Sequence, residues 1–272
     1  MSRRRADALS APAKPDLPLA VRPTRSGAGL LIIAHGERGG AAENSLVHDL
    51  VTRLRASSRF ARVEAGFIRS EPPLEEAAAR LSGTRMTVYP LFMSDGYYVR
   101  RAIPERLAAS GHAGTGAPSI LPPLGLDPGL VPLGEEIALE AVAAAGLESA
   151  GTHLLAVAHG SSKSGESAAC ARSVAAQIEA RGQFASVSVA FLEEHPFLEA
   201  ALKTQPGPAA LLGLFAGDGL HAAEDLPGAL AASGRRDIVL AGSLGGDRRL
   251  ADLVAAAITA PGELIEEDPH RA

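Results

Sequence analysis

Three side chains in the second half of the chain have the types and spacing for metal and proton chemistry: His159, Glu193 and His221. His159 ends the apolar run Leu154–Ala158, Glu193 follows Ala190-Phe191-Leu192, and His221 closes Asp218-Gly219-Leu220-His221. Each sits at or just past the end of an expected strand. In an open parallel α/β sheet, ligands bind beyond the carboxyl ends of the strands. Two imidazoles and a carboxylate converging there suit a divalent first-row metal ion. The same groups accept protons near neutral pH. A single His after a strand is more often a hydrogen-bonded structural residue; the set of three at matching strand ends turns the reading toward function. His195 stands beside the set but precedes Pro196, and it reads as shaping a turn.

The first half of the chain holds the same three positions with different chemistry: His35, Arg69 and Tyr98. One imidazole survives. The carboxylate has become a cation, which repels a metal ion, and the second imidazole has become a phenol, a poor ligand unless ionised. The second half is therefore the better metal site. The correspondence is one of repetition. Ala34-His35-Gly36 matches Ala158-His159-Gly160 and Gly66-Phe67-Ile68 matches Ala190-Phe191-Leu192, both 124 residues on. Asp95-Gly96 matches Asp218-Gly219 and Ile103-Pro104 matches Leu226-Pro227 at 123, and Leu124-Gly125 matches Leu244-Gly245 at 120. Ordered matches with small drifts in offset are what duplication followed by loop insertions and deletions leaves behind.

The elements that must position these residues alternate β–α–β–α–β–α. Leu30–Ala34 reads as a buried parallel strand, 43–56 as a helix with Leu46, Leu50, Val51 and Leu54 on one face, Val63–Ile68 as a strand, Leu74–Leu81 as a short helix and Met86–Met93 as a third strand. Ile103–Ala109 lies in or near another helix. Gly111–Gly134 contains the last strand of the first repeat and leads to a helix at 135–145. The fold class expected is α/β: two similar lobes, each a parallel sheet flanked by helices. The boundaries are a basic leader at 1–28, lobes at 29–145 and 150–260, and an acidic tail at 261–272.

Composition narrows the function. The total charge is −5, and six basic and two acidic residues within 1–28 (net +4) leave −9 for the rest. So acidic a body, with ten aromatics and no Trp, lacks the basic stripe or stacking platform of a nucleic-acid binder. Cys170 is the one cysteine, which excludes an internal disulfide and any Cys-rich metal framework; it reads as helix packing. No apolar run is long enough to span a membrane, no secretory h-region follows the first arginines, and a cytoplasmic protein is expected. The glycine-rich 36–40 loop lacks nucleotide-binding spacing. His48, His112, His153 and His270 read as solvated, and Glu75-Glu76 and Glu135-Glu136 as exposed helix faces.

The ordered series, appearing twice, resembles the class II tetrapyrrole chelatases, specifically the sirohydrochlorin chelatases of the CbiX/SirB type. The residues carrying it are Ala158-His159-Gly160, Ala190-Phe191-Leu192-Glu193 and Asp218-Gly219-Leu220-His221 with Leu226-Pro227, and their first-lobe counterparts; it covers about 29–260. The resemblance implies a macrocycle held between the lobes and insertion of Co²⁺ or Fe²⁺ (Ni²⁺ is a further option) on the way to cobalamin or siroheme. The metal is then a substrate, and no prosthetic group is expected. It also implies that His159 and His221 handle the metal and accept protons, assisted by Glu193. Two-lobe members usually carry the His pair in the first lobe, whereas here the second lobe has it. A macrocycle rich in carboxylates calls for local positive charge, for which Arg69, Arg100, Arg101 and Lys163, with Ser161 and Ser162, are candidates, and His35 is a further substrate contact. The expected partner is that tetrapyrrole, with no nucleic acid, no membrane and a monomeric chain. A tetrapyrrole or metal carrier without turnover is the competing reading.

Overall fold

A computed structural model describes residues 26–36, 44–161, 165–217 and 225–259. The first repeat runs β1 (Ser26–Ala34), α1 (Ser45–Ala56), β2 (Phe60–Phe67), α2 (Leu74–Arg80), β3 (Arg85–Pro90), α3 (Ile103–Ala109), β4 (Ser119–Ile120) and α4 (Leu130–Ala144). The second runs β5 (His153–Ala158), α5 (Glu166–Ala180), β6 (Ser186–Phe191), α6 (Leu198–Thr204), β7 (Ala209–Gly213), α7 (Leu226–Ser233), β8 (Ile238–Ser243) and α8 (Leu250–Thr259). They form two four-stranded sheets, ordered β2-β1-β3-β4 and β6-β5-β7-β8, with every pairing parallel. The α/β expectation of two like lobes is what the structure has.

The hydrophobic pattern explains the layering. Leu30, Leu31, Ile32 and Ile33 are fully buried in succession, because helices cover both faces of the sheet. Each such side chain contributes about 1.5–3 kcal/mol on burial. Leu30 and Ile32 join a large central core, while Leu31 and Ile33 join a smaller one under α2 and α3. The second lobe repeats this, with Leu154 and Ala156 central and Leu155 and Val157 under α6 and α7. The central core is continuous between the sheets, and α1, α4, α5 and α8 fill it.

The last helices of the repeats cross over. Although α4 is continuous with the first repeat, it packs on β7 and β8 of the second sheet. In return, α8 packs beside α1, and its Leu253, Ala256 and Ala257 share an apolar cavity of about 400 Å³ with Tyr89 and Leu121 of the first lobe. Arg249, at the entry to α8, donates to both carboxylate oxygens of Glu140 on α4, at 2.6 and 2.9 Å. It also pairs with Asp247 and holds that carboxyl below the usual range. The matched Leu-Gly pairs have a steric cause. Gly125 and Gly245 bond back to the exits of β3 and β7, donating to Phe92 O at 3.0 Å and Phe215 O at 2.9 Å. A side chain there would collide with the carbonyl of Met93 or Ala216.

Several local expectations are corrected. Strand β3 stops at Pro90 rather than Met93, and α4 starts at Leu130 rather than 135. Glu135 is not on an exposed face: α4 lies between layers, Glu135 is 4% exposed, and Arg181 Nε donates to Oε2 at 2.6 Å. Glu75 is half-buried and clamped by Arg106, which lowers its pKa. His153 is not solvated either. It opens β5 inside the sheet, both ring nitrogens lie 2.7 Å from serine hydroxyls (Ser186 and Ser188), and burial pushes its pKa down. Cys170 is buried, as its helical position implied, and burial raises its thiol pKa.

Candidate functional site

Strand register builds the second-lobe site. Ala158 pairs with Phe191 in the β5–β6 ladder. The ladder continues past the strands, with Leu192 N–H donating to Ala158 O at 3.1 Å and Glu193 N–H to His159 O at 2.9 Å. His159 and Glu193 are thereby locked side by side. His159 Nδ1 lies 3.5 Å from Glu193 Oε2, and the side chains are 38% and 56% exposed. Gly160 adopts φ +78°, a left-handed conformation that favours glycine. A side chain there would also press on Glu194. Glu194 braces this turn by accepting the Ser161 N–H at 3.1 Å. Two adjacent carboxylates thus divide the work: Glu194 holds backbone, and Glu193 is presented to His159.

The first lobe repeats the backbone and changes the chemistry. Ile68 N–H donates to Ala34 O at 3.0 Å, Arg69 N–H to His35 O at 2.9 Å, and Gly36 takes φ +82°. Arg69 Nη2 donates to the Tyr98 hydroxyl at 3.2 Å. The Tyr98 ring meets His35 edge-on at 5.2 Å between centroids and stacks on Phe92 at 6.0 Å. All three matched positions therefore converge in this lobe. Their chemistry suits an anion with an aromatic face. Among the described residues no acidic side chain pairs with Arg69, whose partner is the Tyr98 hydroxyl.

Of the other candidates, Arg100 sits where the lobes meet. Its Nε is 2.9 Å from Asp95 Oδ2 and its Nη1 is 3.7 Å from Glu166 Oε1, at the start of α5. Arg101 lies on the helix surface, 3.5 Å from Glu105. His221 and Ser162, with Lys163, lie outside the described residues. Among the described residues no group of three His, Cys, Asp or Glu is gathered as a metal site; the His159–Glu193 pair is the gathered part of the expected set. Sequence reasoning missed Glu166 and Tyr97. Glu166 looks like an ordinary first-turn acid until α5 is seen against Gly96. Tyr97, 64% exposed beside Tyr98, could have been noticed as an aromatic pair.

The family model for CbiX matches residues 29–141 and again 153–260. A probable sirohydrochlorin cobaltochelatase of Halobacterium salinarum is 26% identical over 223 residues, 73% of this chain and 75% of that protein. The solved structure of CbiX described as the terminal enzyme for siroheme biosynthesis in denitrifying bacteria superposes with a TM-score of 0.72 at 31% identity, covering 86% of this chain and 99% of that one. The sirohydrochlorin chelatase SirB of Bacillus subtilis subspecies spizizenii, solved with cobalt, shares the fold at a TM-score of 0.63 and 17% identity, covering 85% and 93% of the two chains. No helix among the described residues is long and apolar enough to cross a membrane.

Proposed function

Because this chain belongs to the CbiX family of class II chelatases, we propose that it inserts Co²⁺ or Fe²⁺ into sirohydrochlorin, with the metal chemistry in the second lobe. The observation that carries the assignment to that lobe is the exposed His159–Glu193 pair at the ends of β5 and β6. The matching place in the first lobe holds the guanidinium of Arg69. The named relatives point to different metals, one being a cobaltochelatase and the other an enzyme of siroheme biosynthesis, so both ions enter the proposal.

Metal insertion must remove two pyrrole N–H protons while a hydrated dication loses its water. A neutral imidazole ligates such an ion weakly enough to release it and then accepts a proton. His159 and His221 take these roles. Glu193 offsets charge as the metal arrives and relays protons outward from His159. Arg69 meets a carboxylate on the rim of the macrocycle, and Tyr98 offers its face. Arg100, Arg101, Lys163, Ser161 and Ser162 add donors around the same substrate, and His35 is a contact rather than a metal ligand.

The test is anaerobic metal insertion into sirohydrochlorin, followed by absorbance, for the wild type and for His159→Ala, His221→Ala and His35→Ala. Activity lost in the first two variants and kept in the third supports the reading. Loss confined to His35→Ala moves the chemistry to the first lobe. The replaced ligands of the first lobe also motivate a carrier reading, which wild type that binds the macrocycle without accelerating insertion would support.

A further inference from the structure

The outer helices of the two lobes are tied together differently. In the first lobe Arg106 of α3 reaches over to α2, where its Nε and Nη2 donate to the two oxygens of Glu75 at 2.5 and 2.6 Å. Its Nη1 donates to the Ile68 carbonyl at 3.1 Å. By the repeat, the equivalent positions in the second lobe are Glu199 on α6, the carbonyl of Leu192, and Ala229 on α7 in place of Arg106. Gly228 likewise stands where the first lobe has Glu105. The acceptors are retained and the donor is deleted. Among the described residues no hydrogen bond or ion pair engages the Glu199 carboxylate, which is exposed where Glu75 is half-buried. No described residue fills the space the guanidinium would take. That space forms a groove of about 730 Å³, walled by Leu192 and Phe197, with Glu199 and Asp225 at its rim and Lys203 beside them. Phe197, 38% exposed, is among the most exposed large apolar side chains described.

We propose that this groove binds an arginine of the chain's own leader, residues 1–25, in the place that Arg106 occupies in the first lobe. A carboxylate and a carbonyl arranged for a guanidinium, beside an apolar wall, fit an arginine carried on a peptide. The leader supplies Arg3, Arg4, Arg5, Arg22 and Arg25, and its net positive charge opposes that of an acidic body. The stretch between Arg5 and Ser26 spans up to roughly 70 Å when extended. That exceeds the diameter of about 50 Å expected of a globular chain this long. The tether also raises the local concentration of the leader into the millimolar range or so. The groove starts at Phe191 and Leu192, directly before Glu193, so an occupied groove steadies the turn that presents this carboxylate.

The experiment uses the full chain with a photoreactive phenylalanine in place of Ala232, a residue lining the groove. After irradiation and digestion, mass spectrometry reads which peptide has been captured. Leader peptides are expected, with the yield falling about tenfold in Glu199→Gln, which weakens the charge-assisted pair, and in Ala229→Arg, which fills the groove from within. Ala229→Arg installs the residue the first lobe already accommodates, and thermal melting verifies that it folds. No leader capture, or capture unchanged in both variants, overturns the proposal. Mixing isotopically light and heavy chains separates the remaining case: capture of another copy's leader overturns the same-chain assignment. None of these readouts depends on metal insertion.

Discussion

Where the second lobe sets Glu193 beside His159, the first sets Arg69 beside His35, on the same ladder hydrogen bonds and with the same left-handed glycine following each histidine. The duplicated chain is its own control. Features found in both lobes, such as the His-Gly turn, the buried strand runs and the close approach of Gly125 and Gly245, belong to the fold. Features found in one lobe only separate the chemistry: a carboxylate against a guanidinium at one position, and a helix clamp against an open groove at another. The difference teaches that one backbone seats either a carboxylate or a guanidinium beside the same histidine, and that the choice lies in two or three side chains.

The comparison breaks most readily at the matched charges. Glu193→Gln should lower kcat for metal insertion about 100-fold with little change in KM, because it removes proton and charge handling. Arg69→Gln should instead raise KM several-fold with kcat largely kept, as loss of a substrate contact does. Steady-state kinetics on the two variants decides this, and the same kinetic signature in both would erase the division of labour. Next in size is stability. Gly125→Ala and Gly245→Ala should each cost about 1–3 kcal/mol by overpacking, read from urea midpoints. A large loss in one lobe only would show that the shared glycine has different duties.

The clamp gives a smaller and signed effect. Arg106→Ala should destabilise by about 1 kcal/mol, since the Arg106–Glu75 pair is one-third exposed. Ala229→Arg should raise the melting temperature by completing the clamp in the second lobe. The smallest effect is in pH. His153 has its pKa lowered from 6.5 in the fold by burial, and the second lobe alone has this residue. The folded state therefore binds the proton less well than the unfolded chain. Its contribution to stability is full above pH 6.5 and is lost as pH falls through the lowered folded value. Urea midpoints should drop between pH 7.5 and 5.5, and His153→Gln should flatten that drop.

Much of this was legible in the sequence. The strand runs, the repeat and its drifting offset led to two parallel α/β lobes, and the strand-end rule put His159 next to Glu193. What stayed hidden depends on partners distant in the chain. Glu135 and Glu75 carry the polar signature of exposed helix faces, and only the crossing of α4 and the reach of Arg106 cover them. His153 looked solvated because Ser186 and Ser188, which hold it, are set by strand pairing. The contact of Arg100 with Glu166 joins the lobes and has no local signal at all.

The crossing of α4 and α8 also bears on ancestry. The second sheet is covered by α4, which the first repeat contributes, and α8 of the second repeat packs in return beside α1, which is the geometry of a segment exchanged between two copies of a half-length chain. A second repeat alone would lack the helix that covers β7 and β8, which a one-repeat forerunner would gain by pairing with its twin. Joining the two end to end makes that pairing intramolecular and independent of concentration. It also frees each copy to drift alone, one keeping the acid at the site while the other trades it for a base.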